Sequence, residues 1–216
     1  MMFSSTIPSI GFDMSKIGTT KADKKIVKNA INSGYRLFNS SCTNEVILGQ
    51  AIREVCTRKS SFFSRKKKQV LMTRDEFFVV VHICDSDVVK GPDHILKTIN
   101  EKLTTLNIKY VNMLILDASI FDDSLIDAWK VITKFHTMNA TKINDIGISN
   151  CTVETAEHLT KIQMPNIIMS SIIPFDSSLH KFCIENRMKI ICSVHTSNIP
   201  STSTSTKLLK TIAHKH

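Results

Sequence analysis

Glycine is scarce in this chain, six among 216 residues, where an average protein carries about 7%. A glycine-rich phosphate cradle is therefore not expected. No apolar run approaches the roughly 20 residues that cross a bilayer. The opening MMFSSTIPSI is too polar, and too soon interrupted by Pro8, for a secretory h-region. The six cysteines (Cys42, Cys56, Cys84, Cys151, Cys183, Cys192) are scattered, with neither a CxxC nor a paired Cys/His spacing, so no metal site is expected. Without an export signal, the expectation is a cytoplasmic protein whose thiols are reduced and mostly buried as small hydrophobes. Hydrophobic residues make up 42% of the chain and charged ones 22%, enough for a sizeable core. The length fits one domain at about 100–200 residues each. The net charge of +9 and pI near 9.3 would suit a polyanionic partner, but the excess is spread along the chain apart from one cluster.

Polar helical stretches and short β-branched runs alternate. Residues 21–33 read as an amphipathic helix with Ile26, Ala30 and Ile31 on one face and Gly34 as its stop. A short strand follows at 35–38, then a helix at 44–56 with Val46, Ala51 and Val55 inward. Residues 77–81 (FFVVV) are a continuous apolar run, typical of a strand buried on both faces. Helix 93–106, strand 111–116, helix 122–138 and strand 143–148 continue the beat, and Thr152 caps the next helix. Strand 167–173, helix 177–185 and strand 188–192 come next. A Ser/Thr-rich loop at 196–206 and a short helix at 208–215 close the chain. With 7–12 as the first strand, seven strand–helix units result. The class is α/β, and periodicity alone fits both a doubly wound sheet and a (β/α) barrel.

One stretch breaks the rhythm. Residues 57–74 contain RKSSFFSRKKK, with Arg65, Lys66, Lys67 and Lys68 adjacent. A solvated insertion is the plain reading, and a localisation signal or polyanion patch the sharper one. No nucleic-acid module accompanies it, so nucleic acid is not an expected partner.

Several segments together resemble the aldo-keto reductase family. Pro8-Ser9-Ile10-Gly11-Phe12 resembles its opening strand. Gly34-Tyr35-Arg36-Leu37-Phe38, followed by Asn44-Glu45 and Gly49, resembles its first signature. Arg74 to Val79 resembles the approach to the third strand, and Lys109-Tyr110-Val111-Asn112 the start of the fourth. Gly147-Ile148-Ser149-Asn150 resembles the fifth-strand ending, and 165–174 the sixth strand. Ile212-Ala213 with His214-Lys215-His216 resembles the start of the seventh outer helix. The resemblance implies a single (β/α)₈ barrel domain over 1–216, with its site at the C-terminal strand ends. Against a barrel of roughly 250 residues it further implies that the eighth strand is missing. The first and seventh strands would then have open edges that invite a protein partner or self-association.

The family's chemistry is hydride transfer between a nicotinamide, usually NADPH, and a carbonyl, with a tyrosine acid tuned by a lysine that an aspartate holds, and a histidine orienting the carbonyl. A phenol with a pKa near 10 needs such tuning at neutral pH. Carried over by position, the aspartate falls on Asn39, the tyrosine nearest to Cys42, the lysine on His82 and the histidine on Asp117. All four differ. A thiol at Cys42 would not reach a tyrosine hydroxyl's place. His82 and Asp117 suggest either a new acid/base pair, in which the carboxylate raises the imidazole's pKa, or a residual structural hydrogen bond. Of the cofactor positions, Ser149 and Asn150 match, whereas Met169 stands for a glutamine and Ser193 for the stacking tyrosine. Asp13-Met14 replaces a Gly-Thr. His94, His136, His158 and His180 read as surface or helix-flank residues.

The resulting expectation is a catalytically inactive aldo-keto reductase-like protein with a binding or regulatory role and doubtful NADPH binding. The alternatives are an NADPH-dependent oxidoreductase with altered catalytic residues, an interaction module docking through the basic insertion, and a decaying gene product.

Overall fold

The computed structural model describes residues 6–40, 44–57, 72–170 and 177–193. Seven strands form one sheet: β1 (Gly11–Asp13), β2 (Leu37–Asn39), β3 (Phe78–Ile83), β4 (Val111–Asp117), β5 (Ile143–Ser149), β6 (Ile167–Ser170) and β7 (Lys189–Cys192). All are parallel and paired in chain order from β1 to β7. Sequential parallel strands joined by helices curl into an incomplete (β/α)₈ barrel. This settles the choice that periodicity left open, since a doubly wound sheet reverses its strand order. Among the described residues, β1 and β7 each have a single strand neighbour.

The outer layer holds α1 (Lys21–Asn32), α2 (Glu45–Cys56), α3 (Asp85–Val88), α4 (Pro92–Leu106), α5 (Asp123–Met138), α6 (Val153–Thr160) and α7 (Ser177–Glu185). Local chemistry sets their starts. Thr20 and Asp23 form a reciprocal capping box on α1, while Asp122 and Thr152 accept from Leu125 and Thr155 backbone N–H groups. The inward stripe of α5 is as the sequence predicts, with Leu125, Ala128, Trp129, Ile132 and Phe135 all buried. On α1 the packed face is instead Val27, Ala30 and Ile31, and Ile26 is 46% exposed. On α2, Ile47, Leu48, Ala51 and Ile52 are buried and Val46 faces out at 39%. Adjacent apolar residues offer two possible stripes about 100° apart per residue, and the fit against the sheet selects one.

Because successive strand side chains alternate, the sheet has two cores. The outer one, between sheet and helices, takes Phe38, Val79, Val81, Leu114, Leu116, Ile146, Ile148 and Ile168. The inner one takes Leu37, Phe78, Val80, Met113, Ile115, Ile167 and Met169. Gly147 lies on the inner face, where an added Cβ would meet the Ile167 carbonyl oxygen at 2.5 Å and Ile115 Cδ1 at 2.7 Å. The strands β2 and β3 sit one to two residues later than the apolar runs suggest. The short α3 carries too few residues for a periodic signal. Cys84, directly after β3, is disulfide-bonded, against the expectation of reduced thiols, whereas Cys56, Cys151, Cys183 and Cys192 are free. Sequence spacing does not report which cysteine Cα atoms come within the roughly 4.4–6.8 Å that a disulfide needs. Cys42, most of the basic insertion (58–71) and the Ser/Thr-rich loop lie outside the described residues.

Candidate functional site

Continuing the inner alternation by one step brings polar residues to the C-terminal ends of the strands. Asn39 follows Leu37, His82 follows Val80, Asp117 follows Ile115 and Ser149 follows Gly147. The parallel register pairs Asp13 with Asn39, Asp117 with Ser149 and Ser149 with Met169. Seven of the eight residues singled out from sequence are therefore described at this barrel mouth. Six of them share the inner face with Asp13, the exception being Asn150, which follows β5 at positive φ.

His82 bonds to Asn39: the imidazole Nε2–H donates to Asn39 Oδ1 at 2.6 Å. Asn39 Oδ1 can only accept, so the neutral ring keeps its lone pair at Nδ1. Burial pushes the His82 pKa down to about 4, and the nearby carboxylates of Asp117 and Asp13 offset only part of that loss. The raised pKa anticipated for an Asp117–His82 pair does not occur. Desolvation outweighs the carboxylate's field, and the ring's recorded partner is the neutral amide.

Asp117 is held differently. Its Oδ1 accepts from the Ser119 backbone N–H at 3.0 Å and its Oδ2 from Asn150 Nδ2 at 3.2 Å. Asn150 is exposed, and its backbone N–H is given to the Met169 carbonyl at 3.0 Å. Ser149 is 3% exposed, and its Oγ has no hydrogen-bond partner. Met169 is buried among the inner-core residues. Ser193, just past β7, donates from Oγ to Asp13 Oδ2 at 2.8 Å, a link across the gap between β7 and β1. Nothing in the linear sequence announces that contact, because Asp13 and Ser193 lie at opposite ends of the described chain. The cysteine nearest the mouth after β5 is Cys151, a buried thiol pushed up to about 12 by desolvation and thus not a nucleophile.

Beside Asp117 lies a shallow recess of about 10 Å³, lined by Asp85, Val88, Val89, Asp117, Ile120 and Asp122. The loops after β3 and β4 build it, and Val89 and Ile120 stand 63% and 53% exposed. Sequence reasoning missed it. The available signal was the Asp85-Ser86-Asp87 turn after a barrel strand, where helix-capping chemistry and function overlap. The other histidines serve locally. His94 pairs with Asp87 at 3.0 Å, His136 bonds the Asn144 carbonyl at 3.1 Å and His158 packs on Phe121.

Seven parallel strands joined by helices, with polar side chains gathered at the C-terminal strand ends, define an incomplete barrel of the (β/α)₈ class. The chain belongs to the aldo/keto reductase family, whose family model matches residues 14–197. It is similar to the NAD(P)H-dependent D-xylose reductase I,II of Candida tropicalis, 28% identical over a match covering 68% of this chain and 48% of that protein. The NAD(P)H-dependent D-xylose reductase of Scheffersomyces stipitis matches at 21% identity, covering 67% and 49%. The chain thus spans about half the length of these curated relatives. Among solved structures, the Brucella melitensis aldo/keto reductase superposes with a TM-score of 0.73 at 22% identity, covering 97% of this chain and 75% of that one. A Bombyx mori aldo-keto reductase in complex with NADP gives 0.74 at 17%, covering 97% and 72%.

Proposed function

We propose that this chain is an aldo-keto reductase relative that does not reduce carbonyls and acts by binding. The observation that carries this reading is the neutral Asn39–His82 hydrogen bond at 2.6 Å, where the family resemblance calls for a carboxylate holding an ammonium. Reduction of a carbonyl develops negative charge on oxygen, and catalysis needs a cation or a matched acid beside it. With a pKa of about 4, His82 is protonated in about one molecule per thousand at pH 7. Charged groups on the same inner face are the Asp117 and Asp13 carboxylates, which oppose a developing alkoxide.

The relatives' names and the NADP-bound neighbour raise the matter of a nicotinamide cofactor. The residues here do not fit one. Met169 supplies no amide, Ser193 offers no ring and spends its hydroxyl on Asp13, and Asn150 spends its amide on Asp117. Of these positions, Ser149 retains an unpartnered buried hydroxyl. The test is fluorescence titration with NADPH, together with NADPH-oxidation assays on D-xylose and propanal. The expected results are no saturable binding and no turnover. Turnover that disappears in His82→Ala or Asp117→Ala would overturn the proposal in favour of an enzyme with altered catalytic residues.

A second reading concerns assembly and is supported by β1 and β7 each having a single strand neighbour among the described residues. Self-association through those edges predicts a dimer or larger species in sedimentation velocity. A stable monomer at all concentrations would refute it.

A further inference from the structure

We infer that the base of the barrel, the face at the N-terminal strand ends, docks onto an anionic phospholipid surface. Its lysine and arginine side chains meet the headgroups, and Met138, Ile162 and Met164 meet the acyl boundary. This face lies at the opposite strand ends from His82 and Asp117, so the docking stands whether or not the chain reduces carbonyls.

In a (β/α) barrel every helix-to-strand connection emerges at this end. The connections 33–36, 107–110, 139–142, 161–166 and 186–188 each carry a single cation and no acid: Arg36, Lys109, Lys142, Lys161 and Arg187. Lys109, Lys142, Lys161 and Arg187 are exposed. Among the described residues none of the five cations forms an ion pair. The connection from α2 to β3 shows Arg74 with Asp75 and Glu76, and its sequence further holds Phe62 and Phe63 between Arg58-Lys59 and the run Arg65 to Lys68. Acids at this end include Glu185, paired with Lys181, and Asp145, half-buried with Lys189 nearby.

Neighbouring connections are hydrogen-bonded into one rim. The Phe78 N–H donates to the Arg36 carbonyl at 2.8 Å and Arg74 Nη2 to the Tyr110 carbonyl at 2.7 Å. The Val111 N–H donates to the Lys142 carbonyl at 2.9 Å and the Lys189 N–H to the Asn166 carbonyl at 3.2 Å. The cations are thus held at one end of a rigid body and can meet an extended anionic surface together. Asp13 and Asp117 stand at the other strand ends, so such a surface attracts the base and repels the mouth.

A second, independent observation is the apolar surface on the same rim. Met138, the last residue of α5, is 74% exposed, and Ile162 and Met164 are exposed beside Lys161 in the α6–β6 connection. Exposed aliphatic side chains among cations gain by entering the headgroup–acyl boundary of a bilayer. A nucleic acid would reward aromatic stacking surfaces instead. On the described rim Tyr35 and Tyr110 are half-buried, and the Arg74 guanidinium covers the Tyr110 ring at 4.2 Å from its centre.

The experiment is co-sedimentation of the full chain with vesicles of phosphatidylserine and phosphatidylcholine, beside vesicles of phosphatidylcholine alone, with a short single-stranded RNA followed by fluorescence anisotropy. Binding is expected to the mixed vesicles only. It should be present at about 0.1 M salt and lost near 1 M, where the Debye length shrinks from about 10 to about 3 Å. Lys142→Gln, Lys161→Gln and Arg187→Gln together should weaken it roughly a hundredfold, at about fivefold for each cation near the surface. Ile162→Ser with Met164→Ser should weaken it about three- to tenfold. All five side chains are exposed, and circular dichroism melting checks that each variant is folded. No binding to the mixed vesicles at about 0.1 M salt, equal binding to phosphatidylcholine alone, tighter binding to the RNA, or affinity untouched by either set of substitutions would overturn the inference. Reduction of propanal by a chain that binds the mixed vesicles refutes the proposed function alone.

Discussion

His82 makes the stability of this fold sensitive to mild acid, and the size of the effect follows from its surroundings. The ring sits on β3 between buried Val81 and Ile83, bonded to Asn39, and titrates near 4 instead of the usual 6.5. In the unfolded chain the same histidine takes up its proton near 6.5. Between those values the unfolded state binds more protons, so stability rises with pH. The contribution is fully present above pH 6.5 and is lost progressively as the pH falls to about 4. At about 1.36 kcal/mol per pH unit, the gap amounts to roughly 3 kcal/mol. For a domain stabilised by about 5–15 kcal/mol that is a large share. The measurement is urea unfolding at several pH values from 4 to 7.5 for the native chain and for His82→Gln, whose amide can still donate to Asn39 but does not titrate. Between pH 7 and 4 the native chain should lose roughly 3 kcal/mol more than the variant, with the two curves parallel above pH 7. Identical pH dependence of the two proteins, or an imidazole that titrates by NMR at 6.5 or above, would refute the reasoning.

Three further outcomes are expected. Trp129 is fully buried and donates from Nε1 to the Gln163 carbonyl at 3.1 Å, so Trp129→Ala should cost about 3–5 kcal/mol in chemical denaturation. Gly147→Ala places a methyl against the Ile167 carbonyl and Ile115 inside the barrel, and thermal melting should register a loss of about 1–3 kcal/mol. Glu54, held down to about 2 by Lys24 at 2.7 Å and Lys28 at 2.9 Å, stabilises the fold above pH 4.5 and ceases to do so as the pH falls toward 2. Its carboxylate is 42% exposed, so Glu54→Gln should cost under about 1 kcal/mol at pH 7 and less still in molar salt.

The strands with near-continuous apolar runs, β3 and β4, were legible because both faces of a parallel sheet are covered and the polar residues His82 and Asn112 leave four apolar residues in a row in each. The helices were legible where a capping residue precedes a full stripe, as Asp122 does for α5. Boundaries and faces were less so, and Ile26 against Val27 shows why: a pair of adjacent apolar residues fits either stripe until the sheet beneath selects one. The site was half legible. The family resemblance brought Asn39, His82, Asp117 and Ser149 to one face, and the register does so as well. Their bonds were not readable. Asn39 and His82 are 43 residues apart, and the stagger of neighbouring strands, which no local spacing encodes, decides whether His82 meets the amide or the carboxylate. The cleft beside Asp117 depends on two loops with no periodic signal at all.

Asn39 and His82 are chemically matched to each other at the barrel mouth. In a low-dielectric interior, a lysine opposite Asn39 would be a buried cation without its counter-ion, and an aspartate opposite a neutral His82 a buried anion, each costing several kcal/mol. Changing one member alone is therefore penalised, whereas an amide and a neutral imidazole satisfy each other at no cost in charge. Asp117 carries its charge at the mouth, held by a backbone N–H and an amide.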